Sequence, residues 1–221
     1  LYNKNIERID IKGNIEALIN SDYKFQTNNI TLLRNEMIIS SDLGGTILDN
    51  INQNRYEIGK FTYSFKDKVL KGEKIFLNTK YNQPFSDKYF FKSAVFNLEN
   101  QNYIAQDIDI NLKKDIFGNK NNDPRFKGLS SSSKDGVTII NKGIFTSCKK
   151  NDGCPPWTIQ ADKIIYDKDK KQINYENALI KVYDIPVLYF PKFFHPGPTV
   201  NRQSGFLIPH INNSNILGTS L

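Results

Sequence analysis

Apolar and polar residues alternate along most of this chain. Every second side chain is apolar in the segment Phe61–Phe65, and the segment Ile104–Ile110 shows a similar alternation. A period of two places successive apolar side chains on one face of a β-strand, whereas the helical spacing of three and four residues is hard to find here. The pattern therefore predicts an all-β protein with little helix.

Three segments of the chain share one pattern of strand, charged turn, second strand and third strand. The first two begin about 33 residues apart, and the segments are Phe61–Tyr81, Ala94–Lys114 and Ile164–Asp184. Units of this length cannot bury an apolar face singly, so they must stack into a layered β-solenoid or a jellyroll-like sheet. The polar stretch Phe117–Pro156, with four serines at Ser130–Ser133, is predicted to be an exposed, loop-like insertion.

The chain becomes more apolar and richer in proline after residue 180. Val182–Phe194 is the most apolar stretch, yet it contains Pro186 and Pro191. Proline lacks a backbone donor, so this stretch is predicted to lie at a sheet edge, a bend or a junction. A turn-rich linker follows, which predicts a domain boundary near residues 195–203. The lack of a leader at the start of the chain indicates either that a leader has been removed or that the chain is a fragment, and its abrupt end favours a fragment.

The composition narrows the class of protein. Aromatic residues make up 12% of the 221 residues, which is too many for a disordered chain. No run of about 18 apolar residues occurs, so a membrane-spanning helix is excluded. Thirty Lys and Arg against 23 Asp and Glu give a net charge of +7. This excess suggests an anionic partner such as nucleic acid, a phospholipid surface or a phosphorylated glycolipid, and the even spread of the charges disfavours nucleic acid.

Candidate catalytic chemistry is sparse. The two histidines, His195 and His210, adjoin prolines and have no second ligand at metal-binding spacing, so neither a metal nor a cofactor is predicted. Asp107 and Asp109 could serve a glycosidase or lyase, but a solvated sheet face gives the same pattern and is favoured. The sequence therefore predicts that the protein is not an enzyme.

Two cysteines, Cys148 and Cys154, lie close together in the sequence. A lone close pair fits an oxidising compartment better than a zinc site, which needs four ligands. A local disulfide would stabilise the fold by roughly 2–3 kcal/mol on loop-entropy grounds. Pairing with distant cysteines is the alternative, and the spacing leaves both open.

Motifs between residues 145 and 217 resemble the outer-membrane lipopolysaccharide-assembly family LptD, also called OstA or Imp. In chain order the matching motifs are Phe145–Cys148, Pro156–Asp167, Asn177-Ala178, Ile185–Pro191 and Arg202–Pro209. The upstream part resembles the repeat region that LptD shares with the periplasmic LptA proteins. This resemblance implies a β-taco or β-jellyroll (OstA-like) stack of antiparallel strands over 1–194. It also implies that 195–221 holds a linker and the first segment of a transmembrane β-barrel.

The resemblance also implies a function in lipopolysaccharide transport and assembly at the outer membrane, with this region mainly in the periplasm. An apolar groove would receive lipopolysaccharide from an LptA-like periplasmic bridge and pass it to a laterally gated barrel that holds the lipoprotein LptE. The groove candidates are apolar residues of the alternating strands, for which ordinary core packing is the competing interpretation. They are Phe61, Tyr63, Phe65, Ile108, Ile110, Ile164 and Tyr166.

Three further residues acquire roles from the resemblance. Cys148 matches a family cysteine that pairs with a cysteine near the end of the barrel. Cys154 departs from the pattern and could bond Cys148 locally or take its own barrel partner. Pro209 matches a proline in the first barrel strand, where the missing donor weakens pairing with the last strand and creates a lateral gate.

Two other functions compete with this interpretation. A soluble, periplasmic LptA-like bridge for lipopolysaccharide is disfavoured by Ile185–Pro191 and Arg202–Pro209, because a bridge needs no membrane strand. A β-helix enzyme that degrades polysaccharide would need a catalytic cluster of basic and acidic residues. A nucleic-acid-binding β domain ranks third, and no nucleic-acid partner is expected.

Overall fold

The computed structural model describes residues 2–3, 7–19, 22–83, 86–113, 122–150, 155–167, 169–196, 212–214 and 218–220. These residues contain no α-helix, which confirms the all-β prediction. The strands are β1 (Tyr2–Asn3), β2 (Arg8–Ile19), β3 (Tyr23–Leu33), β4 (Ile38–Ser41), β5 (Gly45–Asp49), β6 (Asn54–Ser64), β7 (Val69–Asn78), β8 (Lys88–Asn97), β9 (Tyr103–Asn111), β10 (Arg125–Lys134), β11 (Val137–Thr146), β12 (Trp157–Asp167), β13 (Gln172–Val182), β14 (Ile185–Pro196), β15 (Asn212–Ser214) and β16 (Gly218–Ser220).

Strands β1 to β14 form one 14-stranded sheet in which neighbours along the chain pair antiparallel. The short strands β4 and β5 both pair with β3 on one side and β6 on the other, so together they occupy one place in the order. Strands β15 and β16 pair separately. In the described part of the chain this antiparallel order excludes a parallel β-helix, the fold of the alternative polysaccharide-degrading enzyme.

Each long strand from β6 to β14 is interrupted near its middle, where one residue is not paired with the neighbouring strands. The pairs on either side of this residue generally keep the same register. We call this line of interruptions the crease. Several of its residues have a left-handed backbone, with φ of 51° at Lys74, 46° at Asp107, 50° at Lys142 and 52° at Asn177. An unpaired residue of this kind bends a strand and shifts its alternation. The crease residues are Gly59, Lys74, Lys92, Asp107, Leu129, Lys142, Asp162, Asn177 and Pro191.

The crease divides the sheet into two leaves that turn the same face inward. In β6 the buried side chains are Tyr56 and Ile58 before the crease and Phe61 and Tyr63 after it, so their parity changes. We call the side of 54–58 the first leaf and the side of 60–64 the second leaf. Aromatic rings meet between the leaves: the Tyr56 and Phe96 centroids are 5.6 Å apart. The sheet is therefore folded over a shared apolar interior.

The predicted repeats are confirmed as strand–turn–strand units, with one refinement. Their charged turns separate β6 from β7, β8 from β9 and β12 from β13. The predicted second and third strands of each unit are the two halves of a single strand, joined at the crease residues Lys74, Asp107 and Asn177. The alternation breaks there because the backbone changes hand, and no new strand begins.

The predicted loop-like insertion is wrong over half of its length. Residues 125–134 and 137–146 form β10 and β11, and Ser130–Ser133 lies within β10. Ser131 is only 1% exposed and points into the interior, where its hydroxyl lies 3.2 Å from that of Tyr103. Serine is accepted in this strand because its hydroxyl finds a partner inside the fold.

Strand β14 is the last strand in the order of the large sheet. It contains Pro186 and Pro191. Of the three predicted positions for this stretch, a sheet edge, a bend or a junction, the structure confirms the sheet edge. Residues 197–211 lie outside the described residues, so the domain boundary and the barrel segment stay predictions. A search of the described residues for a helix long and apolar enough to cross a membrane finds none.

Candidate functional site: a cleft between the two leaves

A cavity of about 260 Å³ lies between the leaves, lined by residues of strands β6 to β13 and the turns beside them. Its inner wall is apolar, and toward the strand ends polar side chains join the lining, among them Asn54, Asp87, Gln101 and Thr138. A pocket with an apolar interior and a few polar groups at its rim is suited to an amphiphile. The apolar wall consists of Tyr56, Leu77, Phe96, Ile110, Leu112, Phe126, Ile140, Ile164 and Ile173.

The cavity exists because β10 and β11 contribute small side chains. Ser133 lies opposite Tyr103 on one neighbouring strand and opposite Thr138 on the other. The Thr138 hydroxyl donates to Ser133 Oγ over 3.2 Å, so these polar groups satisfy one another. Gly128 on the same strand does not enlarge the cavity, because the place of a Cβ there is taken by Ile140, whose Cγ2 would lie 2.4 Å away.

Tyrosines surround the open end of the cavity, which we call the mouth. Tyr89 comes from the first leaf, whereas Tyr103 and Tyr166 come from the second. Burial raises the pKa of all three phenols, most strongly that of Tyr89. Their hydroxyls therefore stay protonated and act as neutral hydrogen-bonding groups at physiological pH.

A hydrogen bond crosses from one leaf to the other near the N-terminal end of the cleft. The hydroxyl of Tyr23, on the first leaf, donates to the carbonyl oxygen of Leu98 over 3.1 Å. Leu98 follows β8 in the turn at the end of the second leaf. Burial, with a smaller contribution from the carboxylate of Asp49, raises the pKa of Tyr23 to about 12. This phenol is therefore a permanent donor that ties the leaves together.

An aromatic cluster fills the interior on the C-terminal side of the cavity. Phe145 and Trp157 come from the first leaf, and Tyr175 and His195 from the second. The ring centroids of Phe145 and His195 are 5.7 Å apart, which joins the leaves. Tyr175 also stacks on Phe193 at 4.6 Å. The cleft is closed by packed rings on this side.

All seven predicted groove residues point into the interior, but only three of them line the cavity, namely Ile110, Ile164 and Tyr166. Phe61, Tyr63 and Phe65 pack instead in an aromatic group around Phe25 toward the N-terminal end. Ile108 is buried in the core. Ser131, Ser133, Tyr89 and Tyr103 were not predicted from the sequence as site residues. Tyr103, Ser131 and Ser133 lie on the second leaf, where the crease has changed the parity of the inward positions, so strict alternation does not identify them. Tyr89 belongs to the aromatic run Tyr89–Phe91, which shows no alternation.

The cysteines and the predicted gate are described only in part. Cys148 is half-buried, and its Sγ lies 3.8 Å from the carbonyl oxygen of Trp157. Cys154, Pro209 and His210 lie outside the described residues. Both proposed pairings of Cys148 and the gate at Pro209 therefore stay predictions.

Charged side chains are arranged along the outer surface as pairs. Along the crease, Lys92 Nζ lies 3.0 Å from Asp107 and Lys142 Nζ lies 2.6 Å from Asp162. Asp109 faces Lys127 at 3.5 Å, so both carboxylates of the predicted acidic pair have lysine partners. Exposed pairs of this kind contribute little to stability. Within the described ranges, no group of three or more His, Cys, Asp or Glu side chains could hold a metal ion.

A single antiparallel sheet, folded along a crease over an apolar cleft with a tyrosine-lined mouth, is an all-β fold of the OstA-like class. Curated relatives agree with this class. Part of the chain is similar to the LPS-assembly protein LptD of Escherichia coli (strain K12), with 37% identity over 73 residues. Similarity to LptD of Yersinia pestis bv. Antiqua (strain Antiqua) is 36% over 73 residues, and to LptD of Legionella pneumophila (strain Paris) 33% over 83 residues.

These similarities confirm the resemblance recognised in the sequence. They cover 33% of this chain for the Escherichia and Yersinia proteins and 38% for the Legionella protein. The shared segment is 9% to 10% of the length of those relatives. No family model matches the chain.

Proposed function

We propose that this region takes part in lipopolysaccharide transport and assembly at the outer membrane, as a binding and conducting element without enzymatic activity. The observation that carries the proposal is the apolar cleft between the leaves. It occurs in a chain of which a third is similar to LPS-assembly proteins.

The physical need for such a cleft follows from the cost of exposing acyl chains to water. Each exposed methylene costs about 0.8 kcal/mol, so a twelve-carbon chain costs on the order of 10 kcal/mol. Several chains on one lipid cannot cross an aqueous compartment unprotected. An apolar interior that is open along the strand ends lets the chains enter while the polar sugars stay outside.

The dimensions of the cavity indicate a closed form of the cleft. An apolar cavity of about 150 Å³ is large enough to bind benzene, so about 260 Å³ admits part of one acyl chain. A lipid with several chains therefore needs the leaves to separate at the mouth. The Tyr23–Leu98 hydrogen bond and the Phe145–His195 contact are interactions between the leaves that this opening would break.

The two ends of the sheet are suited to different neighbours. Over Ile11–Ile19, β2 pairs with β3 alone among the described strands, so its other edge offers backbone groups to an added strand. We assign this edge to an LptA-like bridge in the periplasm. At the other end, β14 leads toward the segment that resembles the barrel. The barrel, its partner LptE and the lateral gate at Pro209 belong to the same proposal.

Site-specific photo-crosslinking in cells that make the full-length protein tests the proposed function. A crosslinker at Ile110 or Tyr166, both of which line the cavity, should capture lipopolysaccharide. The matched controls are the adjacent residues Asp109 and Ile165, whose side chains point away from the interior because alternate residues of a strand face opposite sides. Equal labelling at cavity and control positions would contradict the proposal.

A further inference from the structure

The small inward side chains of β10 interrupt a row of large ones in the second leaf. Across the strands, Phe96 lies opposite Tyr103, Tyr103 opposite Ser133, and Thr138 opposite Tyr166. Ser133 and Thr138 thus form a gap between flanking aromatic rings. We call this gap, together with the neighbouring inward residue Ser131, the slot.

The slot is suited to an apolar occupant although its residues carry hydroxyls. Ser131 Oγ lies 3.2 Å from the Tyr103 hydroxyl, and Ser133 Oγ accepts from Thr138 over 3.2 Å. The polar atoms are therefore paired with one another, and no ligand hydrogen bond is needed to satisfy them. Apart from Asn54, Thr79, Asp87 and Gln101, the rest of the cavity wall is aliphatic or aromatic.

The slot faces packed rings on the other leaf. Phe126 lines the cavity from the first leaf and packs against Phe145, with the ring centroids 4.7 Å apart. Phe145 is fully buried and contacts Trp157 and His195. These rings bound the cavity on its C-terminal side, so the space available to an occupant is limited.

We propose that a single acyl chain enters the interior through the slot and that the size of the cavity behind it limits the length of chain that this region binds in its closed form. This inference rests on the proposed function and adds a specificity determinant to it. A cavity of about 150 Å³ that binds the six carbons of benzene corresponds to about 25 Å³ per carbon. At that volume per carbon, the cavity of about 260 Å³ holds about ten carbons.

Calorimetric titration of the purified chain with n-alkyl phosphates of six to fourteen carbons tests the proposal. Affinity should rise about fourfold with each added methylene, the factor equivalent to about 0.8 kcal/mol, until about ten carbons are reached. Beyond that length the gain per methylene should fall below about twofold, because the added carbons stay in water.

Ser133→Leu adds two heavy atoms to the slot and should move this break about two carbons lower. Ser132→Leu is the matched control: Ser132 is the next residue on β10, opposite Ile104 and Ile139, and its side chain points to the other face of the sheet. The control should leave the break where it is. If Ser133→Leu fails to fold, the break in the unsubstituted chain decides the question alone.

The two proposals fail in different ways. A fourfold gain in affinity per methylene that continues to fourteen carbons would contradict the proposed length limit. An equal shift of the break in both leucine variants would contradict it as well. Both results would leave the transport proposal standing. Absence of binding at every chain length would overturn the proposal that the interior accepts acyl chains, and the slot with it.

Discussion

At the scale of single residues, His195 is the clearest case of a polar group held inside the apolar interior. It is 2% exposed, and its Nε2 lies 2.9 Å from the Tyr175 hydroxyl. Its Nδ1 lies 2.8 Å from the carbonyl oxygen of Pro196. A carbonyl can only accept, so Nδ1 carries the proton and Nε2 accepts from Tyr175. Burial lowers the pKa of His195, and the folded state therefore favours the neutral imidazole.

This burial makes stability depend on pH in a defined direction. The unfolded chain takes up a proton on His195 near its ordinary pKa of about 6.5, whereas the folded chain does so only at lower pH. The free energy of unfolding should therefore be highest above pH 7 and fall as the pH decreases toward 5. The slope should be at most about 1.4 kcal/mol per pH unit. Denaturant titrations at several pH values measure it.

The matched variant is His195→Gln, which keeps a polar side chain but does not titrate, and its stability should change much less over this range. Carboxylates with a lowered pKa, such as Asp10 and Asp162, titrate below the window and do not interfere. The same slope in both proteins would show that His195 is not the titrating group.

At the scale of strands, glycines next to the crease let neighbouring strands fold over one another. A Cβ on Gly143 would lie 2.5 Å from Ile164 Cδ1 on the adjacent strand. Gly143 is buried and has no left-handed backbone, so space and not conformation requires glycine here. Gly59 is also at the crease, but it is exposed, and its nearest contact would be Lys74 Cβ at 3.1 Å.

Gly143→Ala should therefore lower the free energy of unfolding by about 1–3 kcal/mol, the usual cost of overpacking a core. Gly59→Ala should cost less than about 1 kcal/mol, because a contact of 3.1 Å at an exposed position is relieved by a small shift of the strand. Guanidinium titrations of the two variants give the comparison. Equal losses would mean that the crease does not depend on close packing at Gly143.

At the scale of the whole molecule, strands β1 to β14 of the described residues form one sheet whose two leaves are held together by side chains. Its interior contacts are mainly aromatic and run from Phe25 near the N-terminal end to His195 near the C-terminal end. Leu188, on the edge strand β14, is 46% exposed although it pairs with the inward-facing Ile180. The edge strand therefore exposes apolar surface beside the closed C-terminal end of the interior, where the proposed onward transfer of acyl chains would begin.

Tyr23→Phe tests how strongly the mouth is held closed. Loss of the hydroxyl removes its bond to the Leu98 carbonyl and should lower the free energy of unfolding by about 0.5–1.5 kcal/mol. Amide exchange in the turn 98–102 should become faster, because the leaves separate more often. Tyr183→Phe is the control, since that side chain is 66% exposed. Unchanged exchange in the turn would show that the hydrogen bond does not restrain the leaves.

Much of the fold could be predicted from local pattern because a strand shows its buried face in its own alternation. The turns after Phe65, Leu98 and Asp167 were found in this way. The candidate site was harder, since Ser133 becomes a cavity residue only through its neighbours Tyr103 and Thr138. Serine-rich composition does not distinguish an exposed loop from a strand that buries serine hydroxyls. The prediction of a loop-like insertion failed for this reason.

By itself, the sequence determined the β class, the strand–turn repeats, the edge position of the proline-containing strand and the resemblance to LPS-assembly proteins. These properties depend on side-chain alternation, backbone donors and short motifs, all of which are local. Only the tertiary structure decided where the crease runs, which inward residues meet across the leaves and where a cavity remains. Those properties depend on the register between strands, because residues far apart in the chain, such as Tyr89, Ser133 and Tyr166, share one space only after the sheet has folded over.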